Sequence, residues 1–161
     1  MSNANLYAVL EGGFPADRKQ VALETPELAY TWDDIDRATA CLANLLNSLE
    51  LPQGARVAVQ VEKSPEALLL YLATLRAGLV YLPLNTAYRE AEIEYFLGNA
   101  EPAVVVCASK NRDWVQRAAD KADARQLGDA DAAEFGTADA EVAEAEGRIA
   151  IVGVKLGEQP R

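Results

Sequence analysis

Between positions 32 and 49 the apolar residues Ile35, Ala38, Leu42, Leu45, Leu46 and Leu49 recur mostly at gaps of three and four. That spacing puts them on one face of an α-helix. Thr31 stands at the expected N-cap, and Asp33 and Asp34 in the first turn complement the helix dipole. Pro52-Gln53-Gly54 then marks a turn, and residues 56–61 read as a strand. Ser64-Pro65-Glu66 supplies a capping serine, a proline at the first helical position and an acid behind it. The helix it opens, reaching Ala77, is apolar almost all round, which predicts burial on more than one side. Gly78 can stop it in the left-handed conformation. Residues 79–82 predict a strand, 90–97 a helix closed by Gly98, and 103–106 another strand. Strand and helix alternate three times across short links, so parallel strands joined by helical crossovers are expected. The fold class is α/β, with a mostly parallel sheet flanked by helices.

The pattern changes in the last third. Residues 113–122 predict a helix carrying Trp114, Val115 and Ala118 on one side. Residues 129–146 hold seven acids, seven alanines and no basic residue, the composition of a mobile solvated linker or frayed acidic helix. Residues 149–154 predict one more strand. The expected organisation is an α/β part over 1–125, an acidic Ala-rich linker over 126–147, and a terminal strand and tail over 148–161. A core strand with nothing after it to pair or cover it leads us to expect a chain cut short.

Composition narrows the function classes. The chain has 161 residues, 50% of them hydrophobic and 25% charged, enough for one domain with a real core. Asp and Glu outnumber Lys and Arg by 25 to 15, a formal charge of −10. Such a surface repels phosphate backbones and anionic lipid heads, which argues against nucleic-acid partners. There is no histidine, which removes Ser-His and Cys-His nucleophile pairs and every His-containing metal site. Cys41 and Cys107 are too far apart in sequence for a CxxC pair, and reduced cytoplasmic thiols are the expectation. Glu11 precedes the first basic side chain, Arg18, the wrong order for a signal or transit peptide. Residues 67–84 are strongly apolar, but Arg76 lies inside them, Gly78 breaks them and Pro83 ends them. A buried helix running into a buried strand accounts for them, and no membrane span is expected.

Candidate chemistry is sparse. Neither GxGxxG nor GxxxxGK[ST] occurs, and Gly12-Gly13 is an isolated loop pair. Glu62 and Glu66 flank Lys63 at the carboxyl end of a predicted parallel strand, where α/β sheets commonly bind ligands. Helix capping already accounts for Glu66, and solvation for Glu62 and Lys63, so these are the preferred roles. Glu90, Glu92 and Glu94 alternate in sequence yet spread over the exposed sides of a helix, as surface residues. Asn85 and Tyr88 follow a strand on the same presumed ligand edge. There an Asn either meets a ligand or hydrogen-bonds its own backbone in a turn, and the turn is preferred. Cys107, behind Val104-Val105-Val106, suits a packed buried thiol rather than a nucleophile. The residues by themselves nominate no catalytic, cofactor-binding or metal-binding position.

One stretch adds a different kind of information. Residues 62–88, from Glu62-Lys63-Ser64-Pro65-Glu66 through Leu79-Val80-Tyr81-Leu82-Pro83-Leu84-Asn85-Thr86-Ala87-Tyr88, resemble the N-terminal region of the AMP-forming acyl-CoA synthetases. That adenylate-forming superfamily also includes luciferases and peptide-synthetase adenylation domains. Supporting pieces stand in the family's order. Tyr30-Thr31-Trp32-Asp33-Asp34-Ile35 resembles its helix start, and Pro52-Gln53-Gly54-Ala55-Arg56-Val57 its turn into a strand, with Ala55 replacing the usual acid. Glu92-Ile93-Glu94-Tyr95-Phe96-Leu97 resembles a further helix, and Ala100-Glu101-Pro102 with Val104-Val105-Val106 completes the series. The likeness covers residues 5–107 and fades beyond them. Within the superfamily, Glu62-Lys63-Ser64 and Tyr81 to Tyr88 look most like malonate–CoA ligases.

The resemblance implies an incomplete N-terminal portion of the synthetase fold. It implies a parent enzyme that joins a carboxylic acid to coenzyme A through an acyl-adenylate, using Mg-ATP and releasing pyrophosphate. AMP leaves more easily than a carboxylate oxygen, so dividing the reaction lowers both barriers. ATP, Mg and coenzyme A are thus cofactors and partners of the whole family, together with a small carboxylic acid. In this chain no catalytic residue can be carried over. Residues 149–154 stand where the strand before the phosphate loop is expected, and no Ser/Thr/Gly run follows. The chain alone is expected to be inactive. Two alternatives stay open: a noncatalytic module binding a partner or itself through exposed apolar surface, and a truncated product without function.

Overall fold

The computed structural model describes residues 5–121 and 149–154. At its centre lies a strand whose residues are almost all buried, β3 (Arg56–Gln60). It pairs in parallel with β4 (Val80–Pro83) on one side and β5 (Val104–Ala108) on the other. A further strand, β6 (Ile149–Val154), lies antiparallel to β5, giving the order β4-β3-β5-β6. The three sequential strands are parallel, as their alternation with helices predicts. β6 is not.

Strand alternation divides the core between two faces. Val57, Val59, Val104 and Val106 pack on one face with Leu46 of α2 (Trp32–Ser48) and Leu70 of α3 (Pro65–Arg76). Ala58, Val105 and Cys107 pack on the other with Ile93 and Leu97 of α4 (Glu90–Ala100) and Val115 of α5 (Arg112–Lys121). Both faces are covered, which is why these strands read as continuous apolar runs.

The caps explain the element boundaries. Thr31 and Asp34 form a reciprocal capping box at α2: the Thr31 hydroxyl accepts from the Asp34 N–H at 3.2 Å, and the Asp34 carboxylate accepts from the Thr31 N–H at 2.8 Å. Hydrogen bonds from the Thr31 hydroxyl and N–H hold the Asp34 carboxyl below its ordinary value. Ser64 caps α3 by accepting from the Ala67 N–H at 3.2 Å, with Pro65 at the first helical position. Gly78 follows α3 with φ of +73°, the conformation expected of it.

Four details differ from the sequence expectation. Gly98 does not close α4, which runs on to Ala100 and ends at Glu101, in the left-handed region at φ 44°. Pro102 has no N–H to extend the helix, so the chain turns before it. β4 includes Pro83, tolerated because β4 is an edge strand. The antiparallel pair β1 (Val21–Glu24) and β2 (Ala29–Thr31) was not expected from the pattern. Its strands are only four and three residues long, so they carry little alternation. A seven-residue helix, α1 (Leu6–Gly12), precedes them. The acidic segment 126–147 lies outside the described residues.

Candidate functional site

The carboxyl ends of β3, β4 and β5 meet at one edge of the sheet, where α/β proteins bind ligands. Glu62 and Lys63 leave β3 as exposed residues. Glu66 sits in the first turn of α3 with one carboxyl oxygen buried and without a hydrogen-bond partner. The Ser64 hydroxyl is engaged in its cap, so these residues form a capped helix start, as preferred from sequence. Across the edge, the Asn85 carboxamide oxygen accepts from the Ala87 N–H at 2.9 Å, and the Asn85 carbonyl accepts from the Tyr88 N–H at 3.0 Å. Asn85 therefore shapes its own turn. The Tyr88 ring stacks on Phe96, with centroids 4.9 Å apart and planes at 22°.

Gln60, at the end of β3, is the edge residue that sequence patterning overlooks. It is 2% exposed, and its Nε2 donates to the main-chain carbonyls of Asn85 and Tyr88, both at 3.1 Å. Its Oε1 is buried without a protein partner. A polar residue closing the apolar Val57-Ala58-Val59 run was the only signal available. Beside it in register lies Cys107, fully buried, its thiol pushed up to about 12 by desolvation. Such a thiol is packing, not a nucleophile.

The three glutamates of α4 have defined surface roles. Glu92 accepts from the Arg89 N–H at 2.9 Å, while Glu94 lies 3.0 Å from Lys121 Nζ. Glu90 approaches Arg117 and Lys121, each at 3.8 Å, so α4 faces α5 through opposite charges.

A second polar cluster joins α1, α2 and α3. Arg76 donates to the Asp36 carboxylate at 2.6 Å, the Tyr7 hydroxyl at 2.8 Å and the Thr39 hydroxyl at 3.1 Å. Its guanidinium also lies 4.8 Å from the Tyr7 ring centroid. Burial raises the Tyr7 hydroxyl above its ordinary value. For Arg76 burial works against the charge, but the hydrogen bond to Asp36 and the charges around it hold the guanidinium protonated more firmly than usual. These groups satisfy one another, which makes the cluster a structural tie between helices. Among the described residues, no three His, Cys, Asp or Glu side chains gather as a metal site requires.

The AMP-binding enzyme family model matches residues 14–154. The chain belongs to that family of adenylate-forming enzymes. Its match runs past Cys107, where the motif resemblance fades, and takes in β6. Among solved structures, MatB from Rhodopseudomonas palustris, known both apo and with ATP bound, superposes with a TM-score of 0.70 at 45% identity, over 75% of this chain and 24% of MatB. Among curated relatives, the medium-chain fatty-acid–CoA ligase of Escherichia coli is 36% identical over 73 residues, 45% of this chain and 13% of the ligase. The non-ribosomal peptide synthetase CmlP of Streptomyces venezuelae is 34% identical over 94 residues, 58% of this chain and 10% of the synthetase. The chain therefore spans only a small part of the relatives it matches. Within the described residues, no helix is long and apolar enough to cross a membrane.

Proposed function

We propose that this chain is the scaffold portion of an AMP-forming acid–thiol ligase, one that joins malonate to coenzyme A in the cytoplasm. The observation that carries it is the ordered run of family motifs: 52–57, 62–88 and 92–106 lie on one parallel β-α-β framework, and 30–35 opens the α2 helix packed against it. The malonate assignment draws on Glu62-Lys63-Ser64 and Tyr81 to Tyr88, and on the 45% identity to MatB.

The residues present do not fit ATP, Mg or coenzyme A by themselves. The N-terminus of α3, where a phosphate would settle in such a sheet, is occupied by the Ser64 cap and carries the Glu66 carboxyl in its first turn. No step of the reaction is assigned to this chain, and the 161 residues alone are inactive in this proposal. The test is malonate-dependent ATP–pyrophosphate exchange by the purified chain, alongside the intact mass of the polypeptide in its source. No exchange is expected from the chain, and a mass well above 17.3 kDa from the source. Exchange by the 161-residue chain would overturn the inactivity. A longer polypeptide that activates other acids but not malonate would overturn the substrate.

A second reading, a noncatalytic module that self-associates on the same scaffold, is favoured by one observation. Leu6, Val9 and Leu10 of α1 are exposed by 50%, 66% and 39%, and their spacing places them on one helical face.

A further inference from the structure

We infer that Gln60 is the positioning residue of the sheet's carboxyl edge, fixing the 85–88 turn as a rigid rim beside the ends of β3 and β4. Gln60 leaves the sheet on the face covered by α4 and α5, because Ala58, two residues earlier, packs there. Its carboxamide reaches the carbonyls of Asn85 and Tyr88 and so holds both ends of the turn at once. The Asn85 carbonyl receives two donors, Gln60 Nε2 and the Tyr88 N–H. Closing the turn and anchoring it to β3 are therefore one event. Tyr88, stacked on Phe96, carries the constraint into α4.

The chemistry calls for glutamine here. An apolar side chain would leave the Tyr88 carbonyl without the Gln60 donor and the Asn85 carbonyl with the Tyr88 N–H alone, and a glutamate would set carboxylate oxygens against both. The donor's other half, Oε1, remains buried without a protein partner. A cost of that kind is sustained where the bonds made by Nε2 matter. The residues the turn presents at the edge, Asn85, Thr86 and Ala87, are exposed. That the rim faces reactants rests on the ligase reading above. That Gln60 sets the rim does not.

The test is amide and side-chain hydrogen exchange by NMR on the 161-residue chain, with Gln60→Met and Gln60→Glu compared. In the wild type, the Gln60 Nε2 protons should be resolved and exchange at least about tenfold slower than free carboxamides, as hydrogen-bonded donors do. Both substitutions should speed exchange of the Tyr88 amide about tenfold while leaving Val105 and Val106 in β5 protected. Wild-type Nε2 protons that exchange freely would overturn the inference without any variant. So would variants that leave Tyr88 unchanged, or that loosen β5 equally. Should a longer polypeptide fail to activate malonate, these protection data would stand unaffected, so the two failures are distinguishable.

Discussion

The two cysteines have opposite surroundings and should react accordingly. Cys41 is exposed on α2, whereas Cys107 lies inside the sheet with its thiol pushed up to about 12. Alkylation needs a thiolate and access, and Cys107 lacks both. At about pH 8, iodoacetamide should add once to the folded chain and twice in denaturant, with peptide mass spectrometry placing the first label on Cys41. Native labelling of Cys107 would mean that the β5 region opens readily. At this scale sequence reading did well where the chemistry is local. Ser64 and Thr31 cap the helices they precede, and Asn85 bonds its own turn. It missed Gln60, because that residue's partners lie 25 and 28 positions away and no spacing rule connects them.

Elements are joined by contacts that no single element encodes. Arg76 looks in sequence like an interruption of an apolar stretch. In the structure it ties α3 to Asp36 and Thr39 of α2 and to Tyr7 of α1. Asn5 adds a bond from its Nδ2 to the Leu75 carbonyl at 2.8 Å. Replacing Arg76 removes the donor from four acceptor atoms on three residues at once. The Asp36 side chain keeps 41% of its exposure to water, which limits the penalty. Arg76→Ala should therefore destabilise the chain by about 1–2 kcal/mol in urea unfolding. Arg76→Lys should recover only part, since an ammonium can take over the hydrogen bonds of the one nitrogen but loses the planar guanidinium over the Tyr7 ring. A loss below about 0.5 kcal/mol would show that apolar packing alone holds the three helices. Gly98 gives the opposite lesson. Its residue type suggested a stop, yet the helix continued to the first position where proline forbids it.

For the molecule as a whole, the open question is what meets its exposed apolar residues. Besides the α1 stripe, Val80 on the edge strand β4 is 47% exposed. A net charge of −10 opposes close approach of two copies, so association should strengthen as salt screens that repulsion. If the self-association reading holds, light scattering after size exclusion should give a mass that rises with concentration and salt. Val9→Lys should return it to 17.3 kDa. A constant 17.3 kDa for the unaltered chain would remove that reading. The sequence by itself determined the α/β class, three parallel strands with their helical crossovers, the principal caps and the family, because these follow from periodicity, local capping and ordered motifs. The tertiary structure decided the β1–β2 pair, the antiparallel course of β6, the Arg76 tie and the Gln60 anchor. Apart from the local β1–β2 pair, whose strands are too short to show a pattern, each depends on groups distant in the chain that only folding brings within hydrogen-bonding reach.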